Sequence, residues 1–589
     1  MSGASYDLVI RGGTVVDGSG GAPFQADIAV RDGVIVKIGK VTGQGAEEIK
    51  ADGLIVTPGF VDMHTHYDGQ VTWENRTSPS TSHGVTTVLM GNCGVGFAPC
   101  RPADRQSLVH LMEGIEDIPE IVMATGLPWN WETYPEYLDV VASMPRDIDV
   151  ASQLPHSALR VFVMGARGLR GEAATPADLA EMKRLSTEAM QAGALGFGTS
   201  RTLFHRSSDG TQVPTKTAHE DELVAIADGM AAAGHGVIQA VIEMLRKDDL
   251  LSELDMLGRV VKRSGRPGSY SLVQMADSGD AWKAALNRTS ELNKAGVLIK
   301  AQTFCRGNGV LLGLDLSYNP FSRQASYREI AGLPLAQRVA ALRDPVLRAR
   351  ILAEPPSGHG LAHLNYLTKF EHMFVLDENP DYEPSLDDSI AGIAKRRGVT
   401  PAAAAYDAML ENGGKAILFL SFNNYNDGNL DAVGEMLTHP DVVWGLGDGG
   451  AHYGMVCDSS FPTHLLSYWA RDRRHGTKLS LADVVEGLTR RPARAIGLLD
   501  RGLIVPGYKA DLNVIDFAGL RLLAPRTVRD LPSGGRRLVQ DADGYAATIV
   551  SGKVTQRDGK STSALPGRLV RGPQPAPKAA TSSRMEFMQ

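Results

Sequence analysis

The chain has 589 residues, enough for several ordinary domains or for one barrel-sized domain with additions. Its 60 Lys+Arg against 67 Asp+Glu leave a formal charge of −7. No basic stretch stands out, so a nucleic-acid or anionic-membrane partner has no electrostatic support. Hydrophobic residues at 43% and charged residues at 22% exclude wholesale disorder, and 64 glycines scattered without a period read as the many tight turns of an α/β protein.

In chain order, residues 6–57 read as short strands broken by glycine turns, with a hairpin signal at Arg31-Asp32-Gly33. The same texture returns at 510–517 and 545–560. Both ends are therefore expected to build one small β-sandwich from residues 1–57 and 500–560, against the alternative of two separate β modules. Residues 58–499 alternate short apolar runs with helical stretches, the pattern of a parallel sheet with crossover helices. Eight strands are expected, at 60–66, 85–93, 149–155, 194–200, 237–241, 269–275, 297–303 and 442–448, which fits an α/β fold of (β/α)8 TIM-barrel type. The helical stretches at 176–193 and 220–234 end in glycine, as helix C-termini often do. About 138 residues separate the last two strands, and 306–385 within that span, rich in Gly, Pro and Arg, reads as an inserted lid or subdomain carrying His359 and His363. The Pro-rich stretch 561–589 reads as a flexible tail. Four cysteines (Cys93, Cys100, Cys305, Cys457), the lack of a signal-peptide pattern and the lack of a long uncharged apolar run point to a reducing, cytoplasmic setting without a membrane partner.

The chemistry concentrates at three expected strand ends. In Pro58-Gly59-Phe60-Val61-Asp62-Met63-His64-Thr65-His66, strand alternation puts His64 and His66 on one face, a half-site for a divalent metal, although an isolated His-x-His also arises by chance. Cys93 ends the second strand beside them, where a thiolate suits zinc; the competing reading is a small buried apolar residue. Asp448, in Gly445-Leu446-Gly447-Asp448-Gly449-Gly450-Ala451-His452, ends the eighth strand. In a closed barrel it faces the histidine pair, where a carboxylate can touch a metal and accept a proton from water; otherwise it caps the next segment. His156 after the third strand can contact metal or substrate, or belong to a structural hydrogen-bond network. Arg201 and His205 after the fourth can take an anionic substrate group. Asp68 can orient the histidines or simply serve the turn before Gly69.

Together, PGFVDMHTH, the GNCG cysteine, GDGGAH and the run DRGLIVPGYKADLNVID resemble the amidohydrolase superfamily, and within it the N-acyl-D-amino-acid deacylases (D-aminoacylases), over residues 5 to 555. The resemblance implies a metal-bearing barrel with a β-sandwich made from both chain ends. It assigns His64 and His66 as metal ligands, Cys93 as thiolate ligand, and Asp448 as metal-neighbouring general base. That family places a histidine ligand at the ends of strands five and six, where this chain has Gln239 and Gln274. Its substrate-gripping lysine falls near Ala276. One divalent metal, zinc, is therefore expected, or at most two, with Gln239 and Gln274 as substrate contacts. The expected activity is hydrolysis of an N-acyl-amino-acid-like amide, with a cyclic-amide or lactone hydrolase and a non-catalytic binding protein as alternatives. A homo-oligomer is a further expectation.

Overall fold

The computed structural model describes residues 5–357 and 366–578; His359 and His363 lie outside them. Strands β1 (Tyr6–Val15), β2 (Phe24–Arg31), β3 (Val34–Gly39), β4 (Gly45–Lys50) and β5 (Ile55–Pro58) open the chain. β2 and β3 pair antiparallel around Asp32 (φ 51) and Gly33 (φ 74), the left-handed pair that a two-residue hairpin requires.

A run of parallel strands follows. These are β6 (Phe60–Asp62), β7 (Val85–Met90), β8 (Asp149–Ser152), β9 (Leu154–Pro155), β10 (Gly196–Ser200), β11 (Val237–Val241), β12 (Gly268–Ser271) and β13 (Ile299–Thr303). Three further strands, β14 (Asn308–Leu312), β15 (Met373–Leu376) and β16 (Ile417–Asn423), form a separate antiparallel sheet before the parallel set resumes with β17 (Val442–Trp444). β6, β7 and β8 make one parallel sheet, and β9 to β13 with β17 another. Only Gln153 separates β8 from β9. Beyond the ends of β6 and β17, Asp448 N–H donates to His64 O (3.1 Å) and His66 N–H to Gly449 O (2.8 Å). The expected α/β class is what these elements form.

Helices Pro176–Ala192, Glu220–Ala233, Lys247–Ser264 and Ala281–Lys294 cross between successive strands from β9 to β13. The first starts with Thr175 and Asp178 capping each other's backbone N–H groups, and glycines in left-handed conformation stop the first two, at Gly193 and Gly234. Most strands are shorter than the apolar runs suggested, because the run outlasts the ladder. The expected 269–275 pairs only over Gly268–Ser271, and 442–448 only over Val442–Trp444.

The inserted region has its own apolar core, drawn from Val310, Leu312, Tyr406, Leu418, Leu420 and neighbours. This core reaches well past residue 385, because β16 supplies the central strand that β14 and β15 flank.

The chain closes with β18 (Leu512–Ile515), β19 (Arg521–Leu522), β20 (Arg526–Leu531), β21 (Gly535–Val539), β22 (Ala542–Asp543), β23 (Tyr545–Val550), β24 (Lys553–Arg557) and β25 (Lys560–Ser561). β18 pairs with β5, and so joins both chain ends in one nine-stranded sheet. One apolar cluster accordingly mixes Leu8, Ile10 and Ile28 with Leu512, Val514 and Ile549.

The tail departs from expectation. As far as Gln574 it is docked: Gly567 N–H donates to Arg146 O, Val570 N–H to Val150 O, Gly572 N–H to Gly193 O and Gln574 N–H to Gly497 O. Buried Val570 joins a cluster with Val61, Met63, Leu89, Ala151 and Leu195. Composition pointed to a free tail, but Leu569 and Val570 give this stretch an apolar anchor. Among the described residues, no helix is long and apolar enough to cross a membrane.

Candidate metal centre and cavity

The regular ladder of β6 ends at Asp62, but the chain stays extended beyond it, since Thr65 N–H donates to Leu89 O (3.0 Å) and His66 N–H to Gly449 O. His64 and His66 are thereby held between the second and last parallel strands, with ring centroids 5.4 Å apart. Cys93 sits on the turn after β7 in left-handed conformation (φ 54), between Gly91 and Gly94, which are also left-handed. A side chain on Gly94 would bring its Cβ to 2.8 Å from Thr199 Cα, so the turn lies against the neighbouring strand with no room to spare. Asp448 (φ 48) is likewise left-handed and tied to the histidine segment through its own N–H.

The side chains converge. Cys93 Sγ lies 3.5 Å from His64 Nε2 and 3.8 Å from His66 Nε2. Asp448 Oδ1 lies 3.5 and 3.6 Å from the same two nitrogens. Gln302 Oε1 faces His64 Nδ1 at 3.2 Å, while its amide nitrogen donates to Ser269 Oγ (2.9 Å). With the amide oriented that way, His64 carries its proton on Nδ1 and turns Nε2 to the cluster. Burial pushes His64 down to about 4, partly opposed by Asp448, and His66 down to about 3, so both rings are neutral at pH 7. Burial raises the Cys93 thiol, and Glu116, Asp448 and Asp68 add to the effect.

A divalent metal fits this donor set. Ligand atoms of His64, His66 and Cys93 lie within 4.8 Å of one another, two neutral imidazoles and a thiol that a cation would ionise. Around them stand carboxylates short of partners, for neither oxygen of buried Glu116 makes a hydrogen bond.

Glu116 and His452 were not singled out from the sequence. Glu116 is the last residue of helix Arg105–Glu116, 1% exposed, with Oε1 3.4 Å from His66 Nδ1 and Oε2 3.5 Å from His452 Nε2. Burial raises its carboxyl well above the usual range, with Asp448 and Asp68 contributing. A Glu closing an amphipathic helix carries no sequence signal. His452, in the GDGGAH run, was visible but unassigned.

The group opens on a cavity of roughly 250 Å³, with walls that include Phe204, Val241, Met244, Val273, Met275 and Phe422. Its charged lining consists of Glu116, Asp277 and Asp448; among the described lining residues none is Lys or Arg.

The four tentative substrate contacts are placed elsewhere. His156 is fully buried with both ring nitrogens engaged, Nδ1 with Thr199 Oγ1 and Nε2 with Glu222 Oε1, each at 2.8 Å. Arg201 is paired with Glu253 (2.5 Å), donates to Ala218 O and is not among the residues lining the cavity. Gln239 accepts from Gln153 Nε2 (2.5 Å), and Gln274 donates to Asp427 Oδ2 (3.1 Å). From β11 and β12 onward, the residues facing the cavity are Val241, Ser271, Val273 and Met275. The two glutamines miss the cavity for different reasons: Gln239 shares a strand face with Val241 but lies two residues deeper, against Gln153, whereas Gln274 falls between Val273 and Met275, which line the cavity in its place. His205 does reach the cavity, with Nδ1 2.8 Å from Ser200 Oγ, and burial first, then the neighbouring histidines, lowers it to about 3. Asp68 accepts the Gly91 N–H (3.1 Å) and so anchors the turn that carries Cys93. Cys100, Cys305 and Cys457 are free and buried, away from this group.

The amidohydrolase family model matches residues 47–556. N-acyl-D-aspartate deacylase of Alcaligenes xylosoxydans xylosoxydans is 37% identical over 96% of this chain and 95% of its own length. Among solved structures, D-aminoacylase superposes with a TM-score of 0.63 at 21% identity, over 96% of this chain and 100% of that one. N-acyl-D-glutamate deacylase from Bordetella bronchiseptica, complexed with zinc and a phosphonate inhibitor, gives 0.61 at 22% identity with the same coverage. The chain belongs to the amidohydrolase family, and is a metal-dependent hydrolase of carbon–nitrogen bonds other than peptide bonds.

Proposed function

We propose that the two parallel sheets make one closed (β/α)8 barrel, with the strands of both chain ends as a composite β-sandwich beside it. In this reading His64, His66 and Cys93 hold one zinc ion, with Asp448 against it, and the substrate enters the cavity above them. The observation that carries it is the convergence of two imidazoles, a thiol and a carboxylate from three separate strand ends, all within 4 Å of a neighbour. A second ion finds less support than the first, because the cavity-facing positions of β11 and β12 are Val241, Ser271 and Val273.

Bound metal would supply Lewis-acid polarisation of the acyl carbonyl and a lowered pKa for the attacking water. The chain's own residues do the rest. Asp448 accepts the proton of that water and delivers it to the amine nitrogen as the C–N bond breaks. Gln302 holds His64 in the tautomer that leaves Nε2 unprotonated. The apolar walls exclude water and bind an apolar acyl or side-chain group.

The substrate class follows in part from this lining. N-acylated amino acids are the first candidates, through the deacylase relative. A cavity with apolar walls, two aspartates (Asp277 and Asp448) and no Lys or Arg among its described lining residues instead favours a neutral substrate, because an anion there is desolvated beside like charges. Cyclic amides are the second reading on that ground. Turnover of N-acyl-D-amino acids compared with cyclic imides and lactones decides between them. Asp448→Asn tests the proton-transfer role. The expected loss in kcat is about 10²–10⁴-fold with metal content retained; full turnover with metal bound refutes the assignment.

A further inference from the structure

We propose that Glu116 is a positioning residue for His66: its carboxylate accepts the Nδ1 proton of the ring and so fixes Nε2 toward Cys93 and Asp448. The inference rests on the metal reading above and adds to it the group that orients the second histidine.

Three observations carry it. First, the two ends of the His66 ring face different things. Nε2 lies 3.8 Å from Cys93 Sγ and 3.6 Å from Asp448 Oδ1, whereas Nδ1 lies 3.4 Å from Glu116 Oε1. His64 shows the same division, with Nε2 toward the cluster and Nδ1 toward Gln302, so each imidazole has one acceptor behind it. Second, Glu116 is a buried carboxylate that makes no hydrogen bond through either oxygen, and His66 Nδ1 makes none either. Such a carboxylate is retained only where a cationic or strongly polarised partner balances it. An imidazole bound to a metal through the lone pair of its unprotonated Nε2 is such a partner, since coordination makes the Nδ1–H a stronger donor.

Third, Glu116 is held in place by the backbone around it. His452 N–H donates to Glu116 O. Asp117, the next residue, turns the chain in left-handed conformation (φ 51) and accepts from Gly454 N–H (2.9 Å) and Ser317 Oγ (3.1 Å). The helix end is thus fastened both to the loop after β17 and to the inserted region. Glu116 Oε2, at 3.5 Å from His452 Nε2, faces the same loop. The carboxyl is therefore kept out of solvent, with Oε1 3.4 Å from His66 Nδ1.

The test compares wild type with Glu116→Gln, Glu116→Ala and Glu116→Asp, using zinc and cobalt(II) as probes. Zinc affinity is measured by competition with a chromogenic chelator, cobalt(II) absorption reports the ligand field, and urea unfolding of the metal-free proteins reports their intrinsic stability. The expected result is a loss of zinc affinity of about 10–100-fold in Glu116→Ala, with Glu116→Gln between it and wild type and Glu116→Asp recovering part of the loss. The cobalt spectrum shifts in the order of the affinities. The metal-free variants unfold at or above the wild-type midpoint, because a buried carboxyl whose oxygens make no hydrogen bond has been removed. Glu116→Gln, nearly isosteric, keeps the answer available if Glu116→Ala does not fold. Wild-type zinc affinity and an unchanged cobalt spectrum in both Gln and Ala variants overturn the proposal, as does a loss of affinity matched by equal destabilisation of the metal-free protein. A wild-type protein that binds neither zinc nor cobalt overturns the metal reading itself, a distinct outcome.

Discussion

Val570 offers a clean perturbation far from the chemistry. Its N–H donates to Val150 O (2.8 Å), and Val150 N–H donates in turn to Arg568 O (3.0 Å), so the strap is stitched to β8 on both sides of this residue. The side chain is 2% exposed and packs with Val61, Met63, Leu89, Ala151 and Leu195. Val570→Ala leaves those backbone bonds intact and removes two methyl groups from a closed cluster. At about 0.8 kcal/mol per buried carbon, the transfer cost is about 1.6 kcal/mol. Incomplete relaxation around the cavity brings the loss to about 2–3 kcal/mol. Urea unfolding followed by fluorescence and by circular dichroism reads this as a lower midpoint at unchanged slope. Metal content and turnover remain at wild-type levels, because Val570 is bonded to Val150, whose partner in β7 is Val88, five residues before Cys93. A loss below about 0.5 kcal/mol, the range of ordinary surface changes, refutes the view that Val570 anchors residues 567–574 against the parallel strands.

Two other substitutions probe the frame of the site. Asp149, at the start of β8, is fully buried between Arg501 (2.7 Å) and Lys509 (3.1 Å). Burial alone raises its carboxyl, but the two cations outweigh that and hold it at about 2. A folded pKa below the unfolded one stabilises the protein above the unfolded value of 3.8, and that contribution is lost as the pH falls toward 2. Asp149→Asn removes the carboxylate shared by the two cations but leaves Arg501 paired with Asp500 (2.8 Å) and Lys509 with Asp511 (2.7 Å), so it is expected to cost about 3 kcal/mol at pH 7, the low end for breaking a buried pair, with the gap to wild type narrowing between pH 4 and 2; a pH-independent gap in urea midpoints contradicts the assignment. Gly94→Ala must adopt φ 68 and push its Cβ against the Thr199 backbone, at a cost of about 1–2 kcal/mol for the left-handed conformation alone. Because Gly94 adjoins Cys93, weaker zinc binding accompanies the lower urea midpoint, and wild-type values for both contradict the proposed tight turn.

What the sequence revealed and what it hid divide along the range of the interactions involved. His64, His66, Cys93 and Asp448 each end or follow an apolar strand within a short run that holds its own glycines, so local pattern was enough to bring them to one face of the fold. Gln239 and Gln274 lie in equally recognisable runs, yet Gln239 sits two residues below cavity-facing Val241 on the same strand face, and the placement of Gln274 depends on where the ladder stops. β12 stops at Ser271, three residues before Gln274, and the irregular chain beyond it presents Val273 and Met275 instead. Glu116 was hidden for a different reason. Nothing in RQSLVHLMEGIE distinguishes its final glutamate from a solvated helix end, and its burial arises only when Asp117 fastens that end to Gly454 and Ser317, which are 337 and 200 residues away along the chain. The tail illustrates the converse error. Its proline content suggested freedom, while two adjacent buried apolar residues, Leu569 and Val570, with backbone bonds from Gly567 to Gln574, anchor it. A site built by strand ends is therefore legible to the extent that its residues are the strand ends, and the groups that orient those residues become visible only once long-range packing has placed them.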